Sequence, residues 1–104
     1  MTIGEYRHRL SVEGKHPSWL HANVRLLNRK WNKNLTKLPC KVCGYSKHIE
    51  LAHIKSLPSF IDSSLLIEVN AVSNNLVLCR NHHWEFDHKI ITLEKINNGL
   101  AGGT

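Results

Sequence analysis

Leu78-Cys79-Arg80-Asn81-His82-His83-Trp84-Glu85-Phe86-Asp87-His88 packs one thiol, three imidazoles and two carboxylates into eleven residues. A surface helix rarely carries so much ligand and proton-transfer chemistry. If the chain is helical from about His82 onward, His83 and Asp87 fall four apart on one face. Cys79 and His82 then form a C-x2-H pair at the helix entrance. The stretch is therefore able to serve two sites at once.

Working outward toward the N-terminus, Asn74-Asn75 is a turn signal and Leu76-Val77-Leu78 a short strand running straight into Cys79. Ile49-Glu50-Leu51-Ala52-His53-Ile54 is an earlier apolar-rich stretch of strand length, bounded by Pro58. The order is β, β, α. Between the strands, Ser59 to Ser73 is a mixed segment with Leu65-Leu66-Ile67 inside it, equally consistent with a short helix or a long loop. Beyond the quoted stretch, Ile90 to Ile96 either extends the helix or forms a final strand. Asn97-Asn98-Gly99 and the Gly102-Gly103-Thr104 end are expected to fray.

Further back lies a second pair of thiols in Cys40-Lys41-Val42-Cys43-Gly44-Tyr45. A C-x2-C followed by Gly has the shape of a zinc knuckle, in which a tight turn aims two thiolates at one ion and Gly supplies a positive φ. Cys40, Cys43, Cys79 and His82 thus make a two-plus-two ligand set for structural zinc. Reading them as buried thiols plus an exposed His would leave the spacing of both pairs to chance. A closed four-ligand site has no open position for substrate, so this zinc should build the fold by clamping the knuckle to the helix start.

The knuckle is preceded by an amphipathic helix. His16-Pro17-Ser18 is a start signal, with Ser18 expected to cap a helix that begins at Trp19. Leu20, Val24, Leu27, Trp31 and Leu35 recur at steps of three and four, and Arg25, Arg29, Lys30 and Lys33 lie mostly off that stripe. Residues 1–16 are polar and basic without a clear period and are expected to be a partly ordered lead-in. Lys37-Leu38-Pro39 stops the helix. The chain accordingly divides into a basic lead-in and helix over 1–36, a zinc-bound core over 37–96 and an end segment over 97–104, one compact α+β domain overall.

The totals agree with this reading. At 104 residues a hydrophobic core alone gives thin stability, and a structural metal is useful. No apolar run is long enough for a membrane span, and the first residues lack the apolar core of a signal peptide, which points to a cytoplasmic protein. Three cysteines cannot all pair as disulfides. Fourteen Lys and Arg against eight acids give a net charge of +6, a balance that favours a polyanion such as DNA.

The zinc set leaves His53, Asn74 or Asn75, His83, Asp87 and His88 unexplained. In a ββα unit a His ending the first strand faces the helix that follows the second, so His53 should meet His83 and Asp87 across a shallow cleft. A carboxylate and an imidazole four apart can hold a divalent ion, and an opposed neutral His is suited to take a proton from water. Those are the parts of a phosphodiester hydrolase.

Taken together, Cys40-x2-Cys43-Gly44-Tyr45, then Glu50-x2-His53-Ile54, then Asn74-Asn75-Leu76-Val77-Leu78-Cys79-x2-His82-His83-Trp84-x-Phe86-Asp87 resembles the HNH (ββα-metal) endonucleases, in particular the small zinc-containing enzymes of phages and bacteria. The resemblance implies a metal-dependent DNA endonuclease acting by a one-metal mechanism. His53 would be the general base, and His83 with Asp87 would hold Mg²⁺, Mn²⁺ or Ni²⁺. Asn74, favoured over Asn75 as the motif Asn, would fix the catalytic loop and orient His53. Arg25, Arg29, Lys30, Lys33 and Arg80 would contact DNA phosphates. Because one active site cuts one strand, concerted double-strand cleavage would call for a homodimer. Many relatives carry an acidic or His ligand immediately before the base, where this chain has Ala52. The metal shell would then rest on His83, Asp87, waters and phosphate oxygens, or draw on Glu50, His48 or His88. A zinc-stabilised DNA-binding module that has lost catalysis is the alternative.

Overall fold

A computed structural model of the chain describes residues 1–97. The expected fraying of the C-terminus falls mostly on residues 98–104, outside the described residues. Among the described residues five helices and two strands run in the order α1 (Ile3–Val12), α2 (Ser18–Trp31), β1 (Ile49–His53), α3 (Leu66–Val69), β2 (Asn75–Cys79), α4 (Arg80–Asp87) and α5 (Leu93–Asn97). Short 3₁₀ turns at Lys33–Lys37, Leu57–Ser59 and Val72–Asn74 connect them. β1 and β2 pair antiparallel and α4 follows at once, which is the ββα unit expected for an α+β zinc-stabilised domain.

The N-terminal segment departs from expectation. Residues 1–16 are not a loose lead-in, because Ile3–Val12 is a helix closed by a capping box. Thr2 Oγ1 accepts from the Glu5 N–H at 3.0 Å and Glu5 Oε1 accepts from the Thr2 N–H at 3.1 Å. The Thr2-x-x-Glu5 spacing is a readable start signal. Ile3 and Leu10, seven apart, bury one face of α1 against Leu20 and Val24 of α2, Leu57, and Leu66 and Val69 of α3. Burying two such side chains stabilises by about 3–6 kcal/mol, and that fixes the helix in place.

α2 begins at Ser18, and the cap is not the Ser18 side chain. His16 Nδ1 accepts from the Ser18 N–H at 3.1 Å instead. Its buried stripe runs Leu20, Val24, Asn28, with Trp31 left 46% exposed. The helix ends at Trp31 and passes into a 3₁₀ turn before Lys37-Leu38-Pro39 is reached.

The second core is built on the sheet. Ile49, Ala52, Leu76 and Leu78 pack with Cys40, Cys79, Ile91 and Ile96. Ile90 to Ile96 is neither a continuation of α4 nor a strand. The turn after α4 is a Schellman motif in which the Ile90 N–H donates to Glu85 O (2.8 Å) and the Lys89 N–H to Phe86 O (3.1 Å). Lys89 sits there at φ 60°, and the chain turns back into α5 so that Ile91 and Ile96 cover the sheet. Register fixes what each end of the sheet carries: Ile49 pairs with Cys79 and His53 with Asn75. At about 3.3 Å per residue the two ends are roughly 13 Å apart.

Candidate functional site

At the Cys79 end of the sheet the four expected zinc ligands converge. The Sγ atoms of Cys40, Cys43 and Cys79 and a ring nitrogen of His82 all lie within 4.8 Å of one another. Ligands at zinc bond lengths of about 2.3 Å (S) and about 2.0 Å (N), at tetrahedral angles, stand roughly 3.8 Å apart S to S and roughly 3.5 Å S to N. Cys43 Sγ to Cys79 Sγ is 3.8 Å and Cys40 Sγ to His82 Nδ1 is 3.6 Å, while Cys79 Sγ to His82 Nδ1 is shorter at 3.2 Å. The donor set fits zinc.

Local structure explains the convergence. Gly44, at φ +79°, closes the knuckle and donates its N–H to Cys40 O at 2.8 Å. Cys79 is the N-cap position of α4, which starts at Arg80, two residues before the expected His82, so Cys79 and His82 meet across the first turn. Burial pushes the Cys40 thiol up, but the N–H groups of Cys79, Cys43 and Val42 and the His82 ring outweigh it and bring it down to about 6. At Cys43 the Tyr45 N–H favours the thiolate, yet burial and the sulfurs of Cys40 and Cys79 prevail and raise it. A bound cation relieves that crowding of sulfurs.

At the other end of the sheet His53, His83 and Asp87 line one cleft of about 150 Å³, together with His21 and Arg25 of α2. His83 Nε2 lies 3.2 Å from Asp87 Oδ2 across one turn of α4. Two neighbouring ligands of an octahedral ion with bonds of about 2.1 Å stand roughly 3.0 Å apart, so these two atoms suit a divalent ion. On its other side His83 Nδ1 meets Glu50 Oε1 at 2.6 Å. Glu50 therefore holds the imidazole from behind rather than adding a ligand beside Asp87.

Ala52 is 1% exposed and packed in the core, on the face of β1 turned away from the cleft. The position before His53 is a packing position in this chain. His48 lies by Tyr45, its ring centroid 6.3 Å from the tyrosine's, and His88 stacks on Trp84 with Nδ1 donating to Trp84 O at 2.7 Å. Neither lines the cleft. Among the described residues the one cluster of three or more His, Cys, Asp or Glu ligands is the zinc set.

His53 is held by residues that sequence reasoning missed. Its Nε2 lies 2.8 Å from Asn70 Oδ1, and Asn70 belongs to a set of linked amides. Asn28 Nδ2 donates to Asn75 Oδ1 (2.6 Å), Asn75 Nδ2 and Asn32 Nδ2 donate to Asn28 Oδ1 (3.0 and 2.8 Å), and Asn32 Nδ2 also donates to Asn70 O (2.7 Å). The signal for Asn28 was its place on the apolar stripe four residues after Val24, because a polar group on a buried face needs partners. Burial depresses the His53 pKa against the Asn70 bond, with the charges of Arg25 and His83 also lowering it and Asp87 opposing them. Burial thus favours the neutral imidazole.

The two adjacent asparagines divide their work. Asn74 lies in the 3₁₀ turn before β2, so strand alternation does not govern its direction. Its Oδ1 accepts from the Lys55 N–H (2.8 Å) and its Nδ2 donates to Lys55 O (3.1 Å) and Val69 O (2.8 Å), tying down the loop that leaves β1. The short contact to the His53 ring comes from Asn70, with Asn28 Nδ2 further off at 3.4 Å, and not from Asn74. Of the basic residues, Arg25 lines the cleft and Lys30, Lys33 and Arg80 are exposed. Arg29 has a structural bond, its Nη1 donating to Ile49 O at 2.9 Å. No helix among the described residues is long and apolar enough to cross a membrane.

A family model described as HNH endonuclease matches residues 40–94, from the first knuckle cysteine into α5. Searches of curated proteins and of solved structures gave no match.

Proposed function

The chain belongs to the HNH endonuclease family, and from that membership we propose that it is a metal-dependent DNA endonuclease with His53 as general base and one catalytic divalent ion. The observation that carries this reading is the convergence of His53 from β1, His83 and Asp87 from α4 and Arg25 from α2 on a single cleft. His83 Nε2 and Asp87 Oδ2 would hold Mg²⁺, Mn²⁺ or Ni²⁺. A divalent ion bound there supplies positive charge against the negative charge that builds on the phosphate and on the leaving 3′ oxygen.

The chain's own groups do the rest. Neutral His53 takes a proton from the attacking water, whose oxygen bonds to phosphorus as the bond to the 3′ oxygen breaks. Arg25 offers its guanidinium to the same phosphate. Glu50 keeps the His83 ring oriented, and Asn74 holds the loop after β1 so that His53 keeps its position. Cys40, Cys43, Cys79 and His82 hold zinc as a structural ion. Lys30, Lys33 and Arg80, with Arg29 where its remaining donors reach, track the DNA backbone without reading bases. Three free cysteines suit a cytoplasmic setting, in a bacterium or a phage-infected cell.

Nicking of supercoiled plasmid with Mg²⁺, Mn²⁺ or Ni²⁺ tests the reading. Loss of a general base costs on the order of 10²- to 10⁴-fold in rate, so His53→Ala should be nearly silent while its salt-dependent DNA affinity is unchanged. Full activity in that variant would overturn the assignment. A second reading, a zinc-stabilised DNA-binding module of weak or lost catalysis, draws support from the cleft offering only His83 and Asp87 as neighbouring ligands. Salt-dependent DNA binding without nicking in any of the three ions would select it.

A further inference from the structure

We propose that Asn70 is the positioning residue that selects which imidazole nitrogen of His53 carries the proton, holding Nε2–H and leaving Nδ1 as the basic atom. This deepens the reading of His53 as general base and rests on it. A neutral imidazole has one N–H and one lone pair, and only the bare nitrogen can accept a proton from water. What lies against each nitrogen therefore decides whether the base faces its task.

The orientation of the Asn70 amide follows from its second contact. Asn70 is 3% exposed, and its Nδ2 donates to Val24 O in α2 at 3.1 Å. Turning the amide over would set Oδ1 against that carbonyl oxygen, two acceptors face to face in a buried place. Oδ1 is thus fixed toward His53 Nε2, 2.8 Å away, where it can only accept, and Nε2 must donate.

Asn28 Nδ2 also lies 3.4 Å from Nε2, a contact that would suit a bare Nε2. The two contacts demand opposite tautomers. The shorter one decides, because Asn28 Nδ2 already donates to Asn75 Oδ1 at 2.6 Å and loses little if Nε2 does not accept from it, whereas Asn70 Oδ1 would face a lone pair at 2.8 Å. Among the described residues no group bonds to His53 Nδ1, and no buried side-chain nitrogen or oxygen lacks a partner. An unbonded Nδ1 that is not among such atoms is not sealed from solvent, as a base for water requires.

The helix that carries Val24 also carries Arg25, which lines the cleft. Through Asn70, α2 thus reaches both the phosphate side and the protonation pattern of the base. Neither α2 nor Asn70's contact to it belongs to the ββα unit.

Imidazole ¹⁵N NMR of the zinc-loaded protein, labelled at histidine and free of Mg²⁺, reads the tautomer directly at a pH where His53 is neutral. His53 is assigned by the signals missing from His53→Ala. The expected result is a proton on Nε2; a proton on Nδ1, or an even mixture, overturns the proposal. In Asn70→Leu, close in volume but without an acceptor, His53 should become a mixture of tautomers, and kcat for nicking should fall about 10- to 100-fold with little change in KM. A folded, zinc-bound Asn70→Leu that keeps pure Nε2–H also overturns it. Should that variant fail to fold, the native spectrum alone decides. If His53→Ala nicks normally, the base assignment falls while the tautomer stands; if His53→Ala is silent but native His53 is protonated on Nδ1, this inference alone falls.

Discussion

Replacing Asn28 by Leu should destabilise the protein by about 3–4 kcal/mol although it deletes no apolar contact. Asn28 is 1% exposed, and its amide takes part in three short hydrogen bonds, to Asn75 Oδ1 and from Asn75 Nδ2 and Asn32 Nδ2. Each bond contributes about 1 kcal/mol net. The partners fare unequally once it is gone. Asn32 Nδ2 still donates to Asn70 O and Asn75 Nδ2 to Ala71 O, but Asn75 Oδ1 loses the donor it has in this structure. Asn75 is half-buried, so its acceptor left alone costs about 1–2 kcal/mol, the lower part of the range for a buried group, and the added apolar surface of Leu returns about 1 kcal/mol. The sum is a large share of a stability expected at about 5–10 kcal/mol. Urea denaturation at fixed free zinc measures it. With a slope of about 1.5 kcal/mol per M the midpoint should drop by roughly 2 M or more. A loss under about 1 kcal/mol with an unchanged slope would refute the account of Asn28 as the hub joining α2 to β2.

Three further outcomes are expected. Cys79→Ser removes a ligand from the clamp between the knuckle and α4, so bound zinc measured by metal analysis and helical circular dichroism should be lost together; a stable, zinc-free fold would count against a structural ion. Lys89→Gly relieves a left-handed residue at the end of α4 and should raise stability by about 1 kcal/mol in urea, since Gly holds φ 60° without a Cβ clash. The pH dependence follows from the lowered pKa of His53. Its unfolded value is about 6.5, so its share of stability is complete above that and is lost as pH falls through the folded value. The acid limb of kcat/KM for nicking should accordingly lie below pH 6.5, and a midpoint above it would contradict a base held neutral by burial and by the charges of Arg25 and His83.

The zinc set was legible because each pair of ligands is close in sequence, and C-x2-C or C-x2-H spacing already dictates a local turn. The ββα order was legible from short apolar runs and turn residues on either side. α1 was signalled by Thr2-x-x-Glu5, a pattern easily passed over in a stretch whose other residues are basic and polar. The stripe of α2 was misplaced at Trp31 because hydrophobicity stood in for burial, while the inward position belonged to Asn28. Asn70 had no signal at all. Its role depends on the residue that caps the one-turn helix α3 meeting α2 and the end of β1, a meeting that only the tertiary structure creates.

The junction of Asn28, Asn32, Asn70 and Asn75 contains no group that gains or loses charge. Ions that screen lysines and arginines from a DNA backbone have nothing there to screen, and a shift of acidity does not unmake its bonds. On the proposed function, holding DNA and holding His53 in line would thus answer to different solution variables. Ionic strength would set how often DNA is captured, and would leave the placement of His53 by these amides as it was.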